Sequence, residues 1–319
     1  MFFNYDVLCI GSATLDSFLT VETPLAKIKL GDKVIVSAIE THSGGGATNS
    51  AVALAKFGLK VKVLTKLGND HDGNFITQEL KSHKANNICL HHSHKHTDTA
   101  VILDYVKDKD RVIYVHKGAS DDLTEHDFKL SPLNTKWIYL ATLMGTSFKT
   151  GESIAKYASK QKILLLFNPS LYLAQKGKTE LKHILSAAAV LVLNLEEAQA
   201  LLKNKTSSME QLLKQLHQLG PKTVVITNGP KRLYAYHKDY IHSLFPPKVN
   251  VVHTAGAGDA FTAALLGAMI KSYKFEDCLR IGQANASSVI QAVGVKHKLL
   301  NEKEALKMAE QHKLKVETH

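Results

Sequence analysis

Residues 254–259 (Thr-Ala-Gly-Ala-Gly-Asp) form the segment of this sequence best suited to chemistry. The run 249–252 before it predicts a strand, and the residues after it predict a helix that is apolar nearly all round and therefore buried. N–H groups in the first turn of such a helix lack partners within it and can bind a phosphate. Asp259 could take a proton from an attacking hydroxyl there. It could equally be an ordinary first-turn acid, with the glycines serving only the turn.

A second glycine-rich junction occupies residues 44–49 (Gly-Gly-Gly-Ala-Thr-Asn), where a strand meets a helix. It lacks the Gly-Lys-Ser/Thr ending of a P-loop, and neither junction completes the three spaced glycines of a dinucleotide-binding turn. Asp16 follows the first predicted strand, and Asn194 and Glu197 follow a later one, at strand ends where open α/β sheets bind ligands. Oxygen-bearing side chains at these ends suit Mg²⁺.

Short apolar strands alternate with helical patterns along most of the chain, which indicates a mostly parallel sheet with helices on both faces. Strands are predicted at 5–10, 61–67, 137–141, 163–167, 190–193 and 223–227, and helices at 47–57, 74–83, 151–160, 196–202 and 208–219. Residues 20–40 and 97–115 are strand-like without intervening helices. We interpret them as an antiparallel accessory sheet that could serve as a lid.

Composition excludes several classes of protein. The 319 residues are 45% hydrophobic and 22% charged, which excludes a disordered chain, a collagen and a coiled coil. No apolar run approaches the roughly 18 residues of a membrane span. The net charge is +11, but the scattered lysines favour a small anionic ligand over nucleic acid. Three distant cysteines suit a reducing cytosol, so we expect a cytoplasmic protein without membrane or nucleic-acid partners.

Together these motifs resemble the ribokinase family, also called the PfkB carbohydrate kinases, within the ribokinase and adenosine kinase-like superfamily. The matching motifs lie at 11–16, 44–49, 68–73, 111–119, 194–197, 227–229, 254–259 and 285–286. The resemblance implies an α/β fold: a ribokinase-like three-layer α/β/α core with a mostly parallel central sheet and a small β-sheet lid. One kinase domain over residues 1–319 is expected, with a discontinuous lid at about 17–41 and 96–117.

What this resemblance implies chemically is ATP-dependent transfer of the γ-phosphoryl group to a primary hydroxyl of a sugar. Asp259 would take the hydroxyl proton, while backbone N–H groups of Gly256, Ala257 and Gly258 would stabilise the transferring phosphoryl charge. The lid would close to exclude water and could form a homodimer contact. The alternatives are a purine nucleoside kinase and a non-catalytic sugar- or nucleotide-binding regulator. The incomplete glycine fingerprint disfavours a nicotinamide-dependent dehydrogenase.

Ligand contacts follow from the same resemblance. The residues implied to hold the acceptor's other hydroxyls are Asp16, Gly45, Gly46 and Asn49. The residues implied to contact the nucleotide are Asn194, Thr227, Gly229 and Asn285. Mg²⁺ is implied near Asn194 and Glu197, with water between the ion and the protein.

The chain departs from the family pattern at several places. His253 stands where many members have an aspartate that helps to hold an activating potassium ion, so we expect little potassium activation. Arg232 replaces a glycine near the nucleotide strand end, where it could contact phosphates or solvent; we favour solvent. Residues 128–151 contain no carboxylate, whereas ribokinases bind ribose with a glutamate there, which leaves room for a nucleoside or another sugar. Asn-Pro-Ser at 168–170 is interpreted as loop geometry, although acceptor contact remains open.

Overall fold

The computed structural model describes residues 4–85, 87–105, 110–127 and 134–319. In these ranges the chain forms two sheets, a large one inside the core and a small one beside it. Within the same ranges no helix has both the length and the apolar character needed to cross a membrane.

The large sheet contains ten strands in the described part of the chain. They are β1 (Tyr5–Ile10), β4 (Val61–Gly68), β5 (Asn87–Ser93), β8 (Thr135–Leu140), β9 (Leu164–Phe167), β10 (Val190–Asn194), β11 (Thr223–Thr227), β12 (Leu233–His237), β13 (Tyr240–Leu244) and β14 (Val316–Thr318). Their order is β14-β13-β12-β11-β10-β9-β8-β1-β4-β5. Pairs from β5 to β11 are parallel, and those from β11 to β14 are antiparallel. The predicted mostly parallel sheet is confirmed.

Helices cover both faces of the large sheet, as predicted. They are α1 (Gly46–Lys56), α2 (His71–Ser82), α3 (Gly145–Gln161), α4 (Leu171–Ala174), α5 (Lys182–Ala187), α6 (Leu195–Leu202), α7 (Met209–His217), α8 (Ala257–Ile270), α9 (Phe275–Val289) and α10 (Glu302–Gln311). Short 3₁₀ turns occupy Leu25–Lys27, Ala119–Asp122 and Glu125–Asp127. Helices α1, α2 and α8 to α10 contribute to one apolar core, and α3 to α7 contribute to the other.

Strand β1 shows why the parallel strands of the large sheet consist of continuous apolar runs in the sequence. Val7 and Cys9 belong to the first core, whereas Leu8 and Ile10 belong to the second. Successive side chains of a strand point to opposite faces. A parallel strand covered on both faces therefore needs apolar residues at every position.

The small sheet consists of β2 (Thr14–Val21), β3 (Val36–Gly44), β6 (Asp98–Tyr105) and β7 (Asp110–His116), in the order β3-β2-β6-β7. Pairs β2–β3 and β6–β7 are antiparallel, but β2 and β6 are parallel. The expectation of a wholly antiparallel sheet is therefore wrong at its centre. Strand β2 follows β1 and strand β6 follows β5. Because β1 and β5 run in the same direction, their carboxyl ends lie on one side of the large sheet, and β2 and β6 start from that side in the same direction. Residues 106–109 of the predicted lid segments lie outside the described residues.

The two faces of the small sheet differ in their surroundings. On the inner face Phe18, Ala100 and Ile102 form a buried cluster, and Ala255 and Val293 pack against it. On the outer face Ile39 is 67% exposed and Tyr114 is 61% exposed. The inner face thus packs on the loop that precedes α8.

Two carboxylates anchor the hairpin β6–β7 to the core. Asp70 accepts hydrogen bonds from the backbone N–H (2.8 Å) and the hydroxyl (2.7 Å) of Thr97. Asp98 is fully buried and accepts from the backbone N–H groups of Gly118 and Ser120, both at 3.0 Å. Both ends of the hairpin are thereby fixed next to the strand ends.

The predicted strand at 249–252 is wrong. These residues form an extended connection in which the Val252 N–H donates to Ile290 O at 2.8 Å, at the end of α9. Pro246 and Pro247 precede this connection and lack the N–H groups that a ladder requires. The chain consequently approaches α8 outside the sheet, beside the carboxyl ends of its strands.

Candidate active site

A cleft of about 360 Å³ lies where the carboxyl ends of the central strands face the inner side of the small sheet. Asn194 and Thr227 line it from the strand ends, and Asp16 and Ala100 line it from the small sheet. Asp259 lines it from the start of α8. Most of the residues that the sequence singles out are therefore brought to one place, although they are spread over more than 240 positions of the chain.

The first turn of α8 borders open space in this cleft. Gly256 precedes the helix in the left-handed region, with φ +77°, and a Cβ there would lie 2.5 Å from the Cβ of Val295. Glycine alone satisfies both conditions. At Gly258, by contrast, a Cβ would meet nothing within 4 Å. The open side of this helix terminus, with its N–H groups and its positive dipole end, is suited to a phosphate.

Asp259 contacts the opposite wall of the cleft. Its Oδ2 accepts a hydrogen bond from Nδ2 of Asn49 at 2.8 Å. Burial raises the pKa of Asp259 to about 6, although Asn49 and Lys296 act to lower it, and Asp16 adds to the increase. A carboxylate with a pKa just below neutrality is largely ionised at pH 7 and can still accept a proton. This bond across the cleft distinguishes Asp259 from a simple first-turn acid.

The wall of the cleft around Asp16 and the junction between β3 and α1 contains the residues predicted to hold the acceptor, and it is called the acceptor wall below. Thr14 donates its hydroxyl to Asp16 Oδ1 at 2.7 Å, and burial raises the pKa of Asp16. A Cβ on Gly44 would lie 1.9 Å from Asp16 Oδ2, so only glycine allows this approach. Gly45 and Gly46 line the cleft next to Asp16. The four residues predicted to hold the acceptor, Asp16, Gly45, Gly46 and Asn49, therefore lie together.

Asn194 and Glu197 lie at the start of α6 and form a capping box. Asn194 Oδ1 accepts from the Glu197 N–H at 2.8 Å, and Glu197 Oε2 accepts from the Asn194 N–H at 2.7 Å. Burial raises the pKa of Glu197 to about 7, and the negative charges of Asp259 and Glu196 contribute. A cation would stabilise such a carboxylate, and the oxygen donors fit Mg²⁺. Asn194 Oδ1 and Glu197 Oε2 are both engaged by backbone N–H groups, and the predicted contact with Mg²⁺ through water stays a prediction.

The other predicted nucleotide contacts divide into two groups. Thr227 lines the cleft at the end of β11, and Gly229 lies two residues further in an exposed turn with φ +54°. Asn285 does not line the cleft: its side chain is fully buried, and Oδ1 accepts from the Leu300 N–H at 2.9 Å. The Asn285 amide holds the connection between α9 and α10, so nothing in the cleft supports its predicted contact with the nucleotide, which stays a prediction.

Two of the departures from the family pattern, His253 and Arg232, are engaged by contacts within the protein. His253 Nδ1 accepts from the Ala255 N–H at 3.1 Å, and its Nε2 lies 3.4 Å from Asp104 Oδ2 on the small sheet. Arg232 pairs with Glu317 of β14 and lies over the Phe245 ring, 4.2 Å from its centroid. Arg232 is thus neither a cleft residue nor simply solvated; it holds the last strand of the sheet.

Two further residues line the cleft: acceptor contact was left open for Asn168, and Lys117 was missed. Asn168 lines it, and its position is fixed because Tyr139 donates to its Oδ1 at 3.0 Å and its own Nδ2 donates to Val192 O at 2.8 Å. A polar residue directly after a strand was the available signal, and loop geometry was preferred. Lys117 also lines the cleft and pairs with Asp98 at 3.1 Å, with no local pattern to mark it.

Comparisons with known proteins agree with this geometry. The family model described as pfkB family carbohydrate kinase matches residues 4–302. Ribokinase from Bacillus subtilis is 30% identical over 295 residues, covering 91% of this chain and 94% of that protein. A nucleoside kinase from Methanocaldococcus jannaschii is 26% identical over 97% of this chain and 98% of its own.

Solved structures give the same fold. The nucleoside kinase structure from M. jannaschii superposes with a TM-score of 0.81 at 25% identity, over 98% of this chain and all of that one. Arabidopsis thaliana ribokinase, solved with ribose and ATP, superposes with a TM-score of 0.82 at 23% identity, over 97% and 99% of the two chains. The chain belongs to the pfkB family of carbohydrate kinases, phosphotransferases that act on a hydroxyl group.

Proposed function

We propose that this enzyme transfers the γ-phosphoryl group of ATP to a primary hydroxyl of a sugar, with Asp259 as the general base. The observation that carries the proposal is the position of the Asp259 carboxylate. It lies in the first turn of α8, and it accepts a hydrogen bond from Asn49 on the acceptor wall at 2.8 Å. One side chain thus connects the phosphate-binding turn to the acceptor site.

The cleft residues have different roles in the proposed phosphoryl transfer. The acceptor hydroxyl donates its proton to the ionised Asp259 while its oxygen forms a bond to the γ-phosphorus. The bond from that phosphorus to the bridging β-phosphate oxygen breaks, and ADP leaves with the electron pair. N–H groups of Gly256, Ala257 and Gly258 stabilise the charge on the transferring oxygens. Asp16, Gly45, Gly46 and Asn49 orient the acceptor, which raises its effective concentration.

The nucleotide and the metal are proposed to occupy the other half of the cleft. Asn194, Thr227 and Gly229 would contact ATP, and Asn194 and Glu197 would hold Mg²⁺ through water. When bound, Mg²⁺ neutralises phosphate charge. The support is the oxygen-rich end of β10 together with the pKa of Glu197, which burial raises to about 7; a bound cation would favour the ionised form of this carboxylate.

A nucleoside is the second candidate acceptor. The M. jannaschii nucleoside kinase aligns over 97% of this chain, and residues 128–151 lack a carboxylate for ribose. Ala100 and Val115 of the small sheet also line the cleft and offer apolar surface for a base. The sugar stays our first proposal because the family model is that of carbohydrate kinases.

The small sheet is proposed to act as a lid and as a homodimer surface. Its outer face carries Ile39, Val112 and Tyr114, which are 67%, 39% and 61% exposed; such a patch favours a partner, here a second copy. We expect a dimer in analytical ultracentrifugation, and we expect the Tyr114→Lys variant to weaken it.

A cytoplasmic location is proposed because Cys9 and Cys278 are buried and unpaired, as in a reducing compartment.

The test of the proposed function is ADP release with Mg·ATP over ribose, other sugars, sugar phosphates and purine nucleosides. We expect turnover with one acceptor class and none in the Asp259→Asn variant. Tight acceptor binding without ADP release would instead identify a regulator. Turnover that requires a nicotinamide cofactor would identify a dehydrogenase.

A further inference from the structure

Lys296 is a buried cation to which the proposed mechanism assigns no role. It lies in the connection between α9 and α10 and is only 6% exposed. Its Nζ donates to Ser43 O at 2.8 Å and to Ser43 Oγ, and it lies 3.7 Å from Glu79 Oε1. Burying an ammonium group is costly unless it is paired and hydrogen-bonded. An apolar side chain would pack there at lower cost, so the charge requires a reason.

Ser43 is the residue that Lys296 holds. Glu79 of α2 accepts from the Ser43 N–H at 3.0 Å, while Lys296 binds the carbonyl and the hydroxyl of the same residue. Ser43 directly precedes Gly44, whose Cα is packed against the Asp16 carboxylate. A shift of Ser43 would therefore move the turn that carries the acceptor wall.

The segment around Lys296 also touches the phosphate-binding turn. Val295 packs on Gly256, where a Cβ would lie only 2.5 Å from the Val295 Cβ. Val293 packs against the buried cluster of the small sheet, as does Ala255 before α8. Residues 293–296 thus connect the acceptor wall, the small sheet and the start of α8.

The charged groups around Lys296 come from several elements. Glu79 of α2, Asp16 of β2 and Asp259 of α8 are the carboxylates that act on its ammonium. Three imidazoles share this region: the His42 and His297 rings lie 4.7 Å apart, and His83, just after α2, is influenced by Lys296 and His297. Lys296 lowers the pKa of both Asp16 and Asp259, against the larger effect of burial.

We propose that Lys296 is a positioning residue for phosphoryl transfer: its ammonium fixes the turn at Ser43 that carries the acceptor wall, and its positive charge favours the ionised forms of Asp16 and Asp259. This inference rests on the proposed function. It adds a residue 37 positions beyond the base, on a connection without any catalytic motif.

Three variants test the inference by steady-state kinetics from pH 5 to 7.5, with ATP and the acceptor that the ADP-release screen identifies. Lys296→Met removes the charge at similar length. We expect the acceptor KM to rise about 10-fold and the acid limb of kcat/KM to move up by about 0.5–1 pH unit, because the carboxylates lose a neighbouring cation. Lys296→Arg keeps the charge and should leave the acid limb in place. Ser43→Ala removes one hydrogen bond, so the acceptor KM should rise about threefold without movement of the limb.

Melting temperature and ATP binding serve as folding controls. A folded Lys296→Met variant with wild-type acceptor KM and acid limb would overturn the inference. So would a uniform loss of kcat/KM at every pH, since that is what a merely structural role predicts. If Lys296→Met does not fold, the other two variants test the inference. An unchanged acceptor KM in Ser43→Ala would overturn the inference, and so would a displaced acid limb in Lys296→Arg. Residual turnover in Asp259→Asn is a separate result that would overturn the proposed base instead.

Discussion

Two glycine-rich junctions face each other across the cleft, and their glycines serve different purposes. At the junction between β3 and α1, a Cβ on Gly44 would lie 1.9 Å from Asp16, and one on Gly46 would lie 2.5 Å from the Ala141 Cβ. At the start of α8, a Cβ on Gly258 would meet nothing within 4 Å. The first junction uses glycine so that the protein can pack on itself. The second does the same at Gly256, which packs on Val295, but it leaves open space at Gly258. Similar sequence patterns thus form the proposed acceptor wall and the proposed phosphate site.

Asp259→Asn should produce the largest effect, because it removes the only proposed base at the open junction. We expect kcat to fall about 10²–10⁴-fold while ATP binding persists. Stopped assays of ADP formation and titration with ATP measure the two quantities. The matched control is Asp277→Asn, since Asp277 is the third residue of α9 as Asp259 is of α8. Near-normal turnover in Asp259→Asn would remove it as the base.

Gly258→Ala tests whether the open space belongs to a ligand. The methyl group fits the free protein, so the melting temperature should stay within a few degrees of wild type. We expect kcat/KM for ATP to fall about 10–100-fold, because the methyl group occupies the phosphate position and costs roughly 1.4–2.7 kcal/mol. Wild-type kinetics with a normal melting temperature would show that nothing binds beside Gly258.

Gly44→Ala should give the opposite pattern. The added Cβ displaces the Asp16 carboxylate, so we expect a loss of about 1–3 kcal/mol in the free energy of unfolding. The acceptor KM should rise about 10-fold while the KM for ATP changes little. Denaturant unfolding and separate titrations of the two substrates measure these effects. If the KM for ATP rises more than the KM for the acceptor, the proposed difference between the two junctions is contradicted.

The pH dependence should follow the base at the open junction. Burial raises the pKa of Asp259 to about 6, and the transfer needs its ionised form. We expect kcat/KM to be nearly constant above pH 7 and to fall about 10-fold per pH unit below 6. Profiles for the acceptor, measured with saturating ATP, check this. A limb that stays at pH 4, where an ordinary aspartate titrates, would contradict the burial of this carboxylate.

Replacing sodium by potassium should have the smallest effect. His253, which precedes the turn of α8, contacts the Ala255 N–H and faces Asp104 at 3.4 Å. An imidazole is a poor ligand for a hard cation, so we expect initial rates that differ by less than about twofold. The His253→Asp variant, which restores the family's residue, is the comparison. A large increase in the wild-type rate with potassium would refute the expectation.

The elements nearest the site were largely predictable, because their patterns are local. The apolar runs of β1 and β8 to β11 and the glycines before α1 and α8 were found from residue type and spacing. The hairpin of β12 and β13 was missed because its turn uses Lys238 and Asp239, both at positive φ, instead of the usual Asn-Gly. The strand at 249–252 was predicted wrongly, since apolar alternation alone does not reveal whether a ladder partner exists.

In the candidate site, too, some residues were predictable from the sequence and others were not. Asn194 and Glu197 were predicted as ligands from their place after a strand, and the structure adds that they cap α6. Asn285 was assigned to the nucleotide by resemblance, yet its amide is used inside the protein. Asn168 had the same signal as Asn194 and was set aside, because a polar residue after a strand is compatible with both a loop and a site.

The amino-acid sequence by itself determined the local conformations: which runs are strands, where glycine permits a turn, and that an acid opens a buried helix. Only the tertiary structure decided which distant groups meet. Asn49 reaches Asp259 across 210 positions, and Lys296 reaches Ser43 across 253. The physical reason is that strand and helix patterns depend on neighbours along the chain. The electrostatics of the cleft depends instead on burial and on charges that packing brings together.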